Sequence, residues 1–178
     1  MSEAYSPRVA EAVRVALEIL ERVGPDGLTM RSIAAEMGIR APSLYKHVEG
    51  KEELEALLIA DSLSRSGRAM HDAVASLGAR AGRRAALTAL GRAYRAWALA
   101  HPHLYRLATG GPLPRERLPA GLEAWAAEPL VRAAGSDERA RAAWAFAHGM
   151  TILELDGRFP PGADLDAAWE SGLQALSR

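Results

Sequence analysis

The sequence predicts an all-α protein of about nine helices, and three observations carry that prediction. Apolar residues recur at spacings of three and four along most of the chain, the period of a helix with one buried face. No stretch alternates β-branched and polar residues as a half-buried strand would, least of all from Gly82 onward, where Ala, Leu and Arg dominate. Clusters of Gly and Pro punctuate the periodic segments, as at Gly24-Pro25-Asp26-Gly27, Gly110-Gly111-Pro112 and Pro160-Pro161-Gly162. With 178 residues, 49% of them apolar, the chain can bury a sizeable core, as one compact domain or two small ones.

The first helix is expected over 7–23. Ser6 can cap it, Pro7 suits its first turn, and Val9, Ala12, Val13, Ala16, Leu20 and Val23 make one stripe. Leu28 to Val48 then reads as two short helices joined by a tight turn. Thr29 is a good N-cap for the first, and Ile33, Ala34 and Met37 recur at helical spacing. Gly38 stops it, because a residue there takes positive φ cheaply only if it is Gly. Ile39 is the apolar plug after the turn, Pro42 suits the start of the second helix, and Leu44 and Val48 give that helix its buried stripe. A fourth helix opens at Lys51, with Glu52 and Glu53 at its positive end, and runs to about Leu77; Gly67 inside it marks a bend or nothing. Further helices are expected over 83–100, from Pro102 to the Gly110-Gly111 pair, over 116–134 (weakened by Pro119 and Pro129), from a Ser136-Asp137 cap to about Leu155, and from Asp164 to about Leu176.

Composition excludes several function classes. There is no cysteine, so disulfides and thiolate chemistry are absent. No apolar run approaches the ~20 residues that span a bilayer, and the N-terminus lacks a basic-then-apolar leader, so a soluble cytoplasmic protein with no membrane partner is expected. No glycine-rich phosphate loop, nucleophile elbow or HExxH is present, and the acids scatter over polar helix faces; catalysis, cofactors and a metal site find no support. His101-x-His103 lacks a third ligand at a useful spacing. Formal net charge is zero, which argues against coating nucleic acid by bulk electrostatics. Up to Glu55 the acids (ten) outnumber the cations (seven), yet between Leu28 and Val48 three cations, Arg31, Arg40 and Lys46, face one acid, Glu36.

Ala41, Ser43, Tyr45, Lys46 and His47 are left to the outside of the second motif helix: small contacts, donors and a cation. A helix with such a face suits the major groove of DNA; equally, the spacing describes any αα-hairpin of a helical domain. The run Gly27–Leu54, GLTMRSIAAEMGIRAPSLYKHVEGKEEL, also resembles the DNA-binding domain of the tetracycline-repressor (TetR) family of bacterial transcription regulators. It shares Gly-Leu-Thr, Ile-Ala-Ala, the turn glycine, Leu-Tyr-x-His and the Lys-x-x-Leu that opens the next helix, without gaps.

That resemblance implies a set of DNA contacts. Arg31 is implied at a base or phosphate, against a plain solvated arginine; Ala41, Pro42 and Ser43 match base-reading positions, where apolar groups can meet a thymine methyl. Tyr45, His47 and Lys51 match phosphate-holding positions that fix register, and Lys46 is the best base reader of the helix middle. Two residues depart from the family pattern. Arg40 stands where a serine cap is common and adds a possible contact, and Val48 replaces a usual Phe, thinning the core. Thr29, at the start of the motif, completes the candidate set.

The eighth helix is apolar on two sides. Ala140, Ala143, Trp144, Ala147, Met150 and Thr151 make one face, and Ala142, Ala145, Phe146, Gly149, Ile152 and Leu153 the other. Packing inside its own subunit and against a second copy would satisfy both. The ninth helix offers Leu165, Ala168, Trp169, Leu173 and Leu176, so two helices from each of two chains would form a four-helix seam; a large monomeric bundle is the alternative. Trp144-x-x-x-His148-Gly149, Leu153-Glu154-Leu155 and Gly157-x-Phe159 resemble the WHG-type C-terminal domain of one TetR subfamily. Tyr94, Trp97, Leu104, Tyr105, Trp125 and Trp144 are candidate walls of an apolar ligand pocket or plain core, and His148 is a buried hydrogen-bonded histidine or a ligand contact.

The function so implied is a homodimeric, ligand-responsive DNA-binding regulator, residues 1–50 forming the helix-turn-helix domain and 51–178 the ligand-binding and dimerisation domain. Its expected partners are a double-stranded operator, a small-molecule effector and a second copy held through the last two helices. The alternative is a helical protein–protein interaction module, or a regulator without an effector.

Overall fold

Ser6 starts the first helix: its hydroxyl accepts from the Val9 amide at 3.4 Å, with Pro7 in the first turn. The computed structural model describes residues 5–78 and 81–178, and in it α1 spans Pro7–Val23. A short 3-10 turn, Pro25–Gly27, leads to α2, Met30–Glu36, and α3, Ala41–Leu44. Then come α4, Lys51–Ala75; α5, Arg83–Ala100; α6, Pro102–Thr109; a second 3-10 turn, Arg115–Arg117; α7, Leu122–Ala134; α8, Asp137–Leu155; and α9, Leu165–Leu176. No strand occurs among the described residues.

The chain divides into two compact units. One holds the described residues up to Ser64 with His101–Glu123; the other holds Arg65–Ala100 and Ala124–Arg178. The boundaries fall inside α4 and α7, and so differ from the functional division drawn at residue 50.

In the first unit α1 packs on α2 and α6, and α2 on α3. Ala12, Val15, Ala16, Ile19 and Leu20 of α1, Ile33 and Ala34 of α2, Leu44, Val48, Leu54, Leu58, Leu104 and Tyr105 are all buried. The buried stripe of α1 includes Val15 and Ile19, which the sequence reading left out. Val23, which it included, is exposed and lies over Gly27, where a Cβ would stand 2.3 Å from Val23 Cγ2. α6 has no cap of its own from His101; Glu21 of α1 accepts from the Leu104 amide at 3.0 Å instead.

In the second unit α5, α8 and α9 pack on one another. Their core joins Ala147, Trp169 and Leu173, with Tyr94, Phe146 and Met150 against it. Gly172 permits the close crossing of α8 and α9, since a Cβ there would meet the Phe146 ring at 2.1 Å. Ser136 and Asp164 cap α8 and α9 as their sequence positions suggest.

The helix expected over 116–134 begins at Leu122. Pro119 and the positive φ of Gly121 (78°) keep the preceding residues out of it, whereas Pro129 lies inside it without ending it. Gly67 is a notch: a Cβ there would stand 2.8 Å from Trp125 Cζ3 and 3.0 Å from the Ala126 Cα.

Candidate nucleic-acid interface

The motif is set by its caps. The Thr29 hydroxyl accepts from the Ser32 amide at 3.0 Å while the Ser32 hydroxyl accepts from the Thr29 amide at 3.0 Å, a reciprocal capping box. At the other end of α2, Gly38 has φ 66°, its amide donates to the Ala35 carbonyl, and the Ile39 amide donates to that of Ala34 at 2.9 Å. These are the two bonds of a Schellman turn, which satisfy carbonyls the helix end leaves open. The turn fixes the exit direction of the chain and hence where α3 begins.

α3 is a single turn. Arg40 stands at its N-cap without a side-chain cap bond, and Pro42 sits in its first turn, where its missing amide hydrogen has no intrahelical partner to lose. Helical bonding continues irregularly beyond Leu44, whose carbonyl receives the amides of both His47 and Val48. Leu44 and Val48 are the buried anchors, and between them Tyr45 (51% exposed), Lys46 and His47 stand in solvent. Arg31, Arg40, Pro42 and Lys51 are exposed as well, Thr29 too, while Ala41 and Ser43 are half-buried. Lys51 also reaches Glu55 on its own helix at 3.6 Å.

The one acid of the motif is answered. Arg22 of α1 donates to the Glu36 carboxylate, so the motif presents its cations without a free carboxylate. Glu53, in the first turn of α4, accepts from the Glu49 amide and pins the exit from the motif. Sequence reasoning missed Arg22 and Ser32, and named Glu53 only as a first-turn acid. Only Ser32 carried a local signal, its position three residues after a threonine cap, and serine is not the usual partner there.

The candidate pocket residues divide between the two units. Leu104 and Tyr105 are buried in the first unit, whereas Tyr94, Trp97, Trp125, Trp144 and His148 belong to the second. Tyr94 is half-buried against the Trp169 cluster, and Trp97 is half-buried on α5. Trp125 is 40% exposed and stacks on His71. Trp144 is 50% exposed and stacks on His148 with centroids 5.8 Å apart; burial pushes the His148 imidazole below its ordinary value. A groove of the second unit lined by Thr88, Arg92, Arg95, Asp166, Trp169 and Glu170 takes in none of the seven predicted residues. Arg95, unremarked in the sequence, forks onto Glu154 at 2.7 and 2.8 Å, reaches Asp166 at 2.5 Å and lies over the Trp169 ring. The bond to Glu154, before that to Asp166, holds the guanidinium proton more firmly than usual, so this link of α5, α8 and α9 stays charged.

A capped α2, a glycine turn, a short α3 with exposed donors and cations, and a neutralised acid define a helix-turn-helix DNA-binding protein. The description "Bacterial regulatory proteins, tetR family" matches residues 12–56, and "Tetracyclin repressor-like, C-terminal domain" matches residues 87–176. The chain belongs to the tetR family and is a helix-turn-helix transcriptional regulator, not an enzyme. It is 31% identical over 166 residues to an uncharacterised HTH-type transcriptional regulator, Rv0681, of Mycobacterium tuberculosis, a match covering 82% of this chain and 69% of that one. Over 53 residues it is 43% identical to the class D tetracycline repressor protein of Escherichia coli, covering 30% of this chain and 24% of the repressor. The structure of a protein of unknown function from Rhodococcus sp. RHA1 superposes with a TM-score of 0.81 at 25% identity over the whole of both chains.

Proposed function

We propose that this regulator is a repressor that binds a near-palindromic operator as a homodimer and leaves it when a small apolar effector binds. Residues 1–50 serve as the DNA-binding domain and 51–178 as the ligand-binding and dimerisation domain. The observation that carries the reading is the exposed edge formed by Arg31, Tyr45, Lys46 and His47 around buried Leu44 and Val48. In this reading Lys46, Arg31, Ala41, Pro42 and Ser43 address bases, while Tyr45, His47, Lys51, Arg40 and Thr29 hold the backbone. Two such edges, one per chain, occupy successive major grooves, and the operator mirrors the two-fold axis.

Support for the dimer comes from α8. It buries Ala140, Ala143, Ala147 and Thr151 within its own chain and leaves Trp144 and Leu153 exposed. A second copy placing its own α8 and α9 against the side of α8 away from that buried stripe, where Leu153 stands, covers it. The half-buried and exposed aromatic residues of the second unit supply walls for an apolar effector, and the repressor role follows the name of the class D relative.

A mobility-shift selection on a pool of inverted repeats, at low and high salt, tests this. The expected result is an enriched near-palindrome whose affinity falls steeply with salt and is weakened by Lys46→Ala and Arg31→Ala. No enriched sequence, or binding indifferent to both substitutions, overturns the reading. A thermal-shift screen with apolar small molecules tests the effector, since a ligand at 100 times its Kd adds about 2.7 kcal/mol to the folded state.

A further inference from the structure

Pro129 lies inside α7. In an α-helix the carbonyl of residue 125 takes its bond from the amide of residue 129, and proline has no amide hydrogen. The Trp125 carbonyl is answered from another helix: Nε2 of His71, on α4, lies 3.0 Å from it. A carbonyl oxygen only accepts, so Nε2 carries the hydrogen. In the neutral ring Nδ1 is then a bare acceptor, and it faces Glu128 Oε2, also an acceptor, at 3.8 Å. Protonation turns Nδ1 into a donor, and the imidazolium serves the carbonyl and the carboxylate together. The ring also stacks on the Trp125 indole, centroids 4.7 Å apart and planes at 20°, a face that favours a cation. Gly67, one turn earlier on α4, is the notch that admits the indole.

We propose that His71 is a proton-operated clasp between α4 and α7, bonded to Trp125 when neutral and to both Trp125 and Glu128 when charged. The charged groups in play are Glu128 and, behind it on α7, Arg132, which reaches Glu128 at 3.0 Å. On its own helix Arg68 and Asp72 flank His71 in sequence. The Arg132–Glu128 pair is largely exposed, so it competes only weakly for the carboxylate. The clasp stands on contacts within the second unit and does not depend on the DNA-binding reading.

The test is a double-mutant cycle on the full chain: wild type, His71→Phe, Glu128→Gln and the pair, melted at about pH 5.5 and about pH 8, the range in which imidazoles titrate. His71→Phe keeps the stacking and removes both donors. The expected coupling is about 2–4 °C in melting temperature at the lower pH and none at the higher. Long-range proton–nitrogen spectra at the higher pH are expected to place the hydrogen on Nε2. A coupling that is absent or equal at both pH values, or a hydrogen on Nδ1, overturns the proposal. Should His71→Phe fail to fold, wild type against Glu128→Gln decides it: the gap in melting temperature must widen in acid.

Discussion

Thr29 shows what one side chain does for the motif. Its hydroxyl and that of Ser32 each satisfy an open amide of the first turn of α2. Thr29→Ala should cost about 1 kcal/mol, seen as a fall of about 2–4 °C in melting temperature. Lys46→Ala should leave the melting point unchanged, because Lys46 is exposed, and weaken binding most at the operator position whose base it reads. Arg31→Ala, if the arginine forks onto a guanine, should relax one operator position by about 1–3 kcal/mol, read by binding to single-base variants. His148 gives a pH prediction of definite sign. Burial lowers its folded value, so below the ordinary 6.5 the unfolded chain binds the proton more readily. Stability is therefore highest above that value and is lost as pH falls through the lower, folded one. His148→Gln should flatten that part of a melting-temperature profile.

At the scale of the element, the decisive feature of the motif is the turn between α2 and α3. Gly38 holds φ 66° there, and Gly38→Ala should cost about 1–2 kcal/mol, measured by denaturant unfolding, with operator binding falling as α3 loses its aim. Such features were legible because they are local. Thr29, Gly38, Pro42, Ser136 and Asp164 act within a few residues of themselves, so their types announce their roles. The start of α7 was misplaced because a periodic run across Pro119 and Gly121 resembles a helix until the positive φ of Gly121 is known. Gly67 stayed ambiguous for a different reason: its partner, Trp125, is far away in sequence. The same holds for Glu21 on Leu104, Arg22 on Glu36 and Arg95 on Glu154, whose separations of 83, 14 and 59 residues leave no local trace. The aromatic candidates were legible as residue types only, since composition does not say that Leu104 and Tyr105 pack in a different unit from Trp125 and Trp144.

For the whole molecule the proposed seam rests on the exposed side of α8, where Leu153 stands. Leu153→Arg touches no buried core position, so the chain should keep its helical content, sediment as a monomer and lose most of its operator affinity, because one half-site alone binds weakly. A dimeric Leu153→Arg variant in sedimentation would remove α8 from the proposed seam. The short α3 has its own implication. Tyr45, Lys46 and His47 lie between two anchors yet outside both the core and the regular helix, so evolution or an engineer can reassign them without endangering the scaffold. A library randomised at those three positions should remain mostly folded and yield clones addressed to new promoters, making the head a retargetable module.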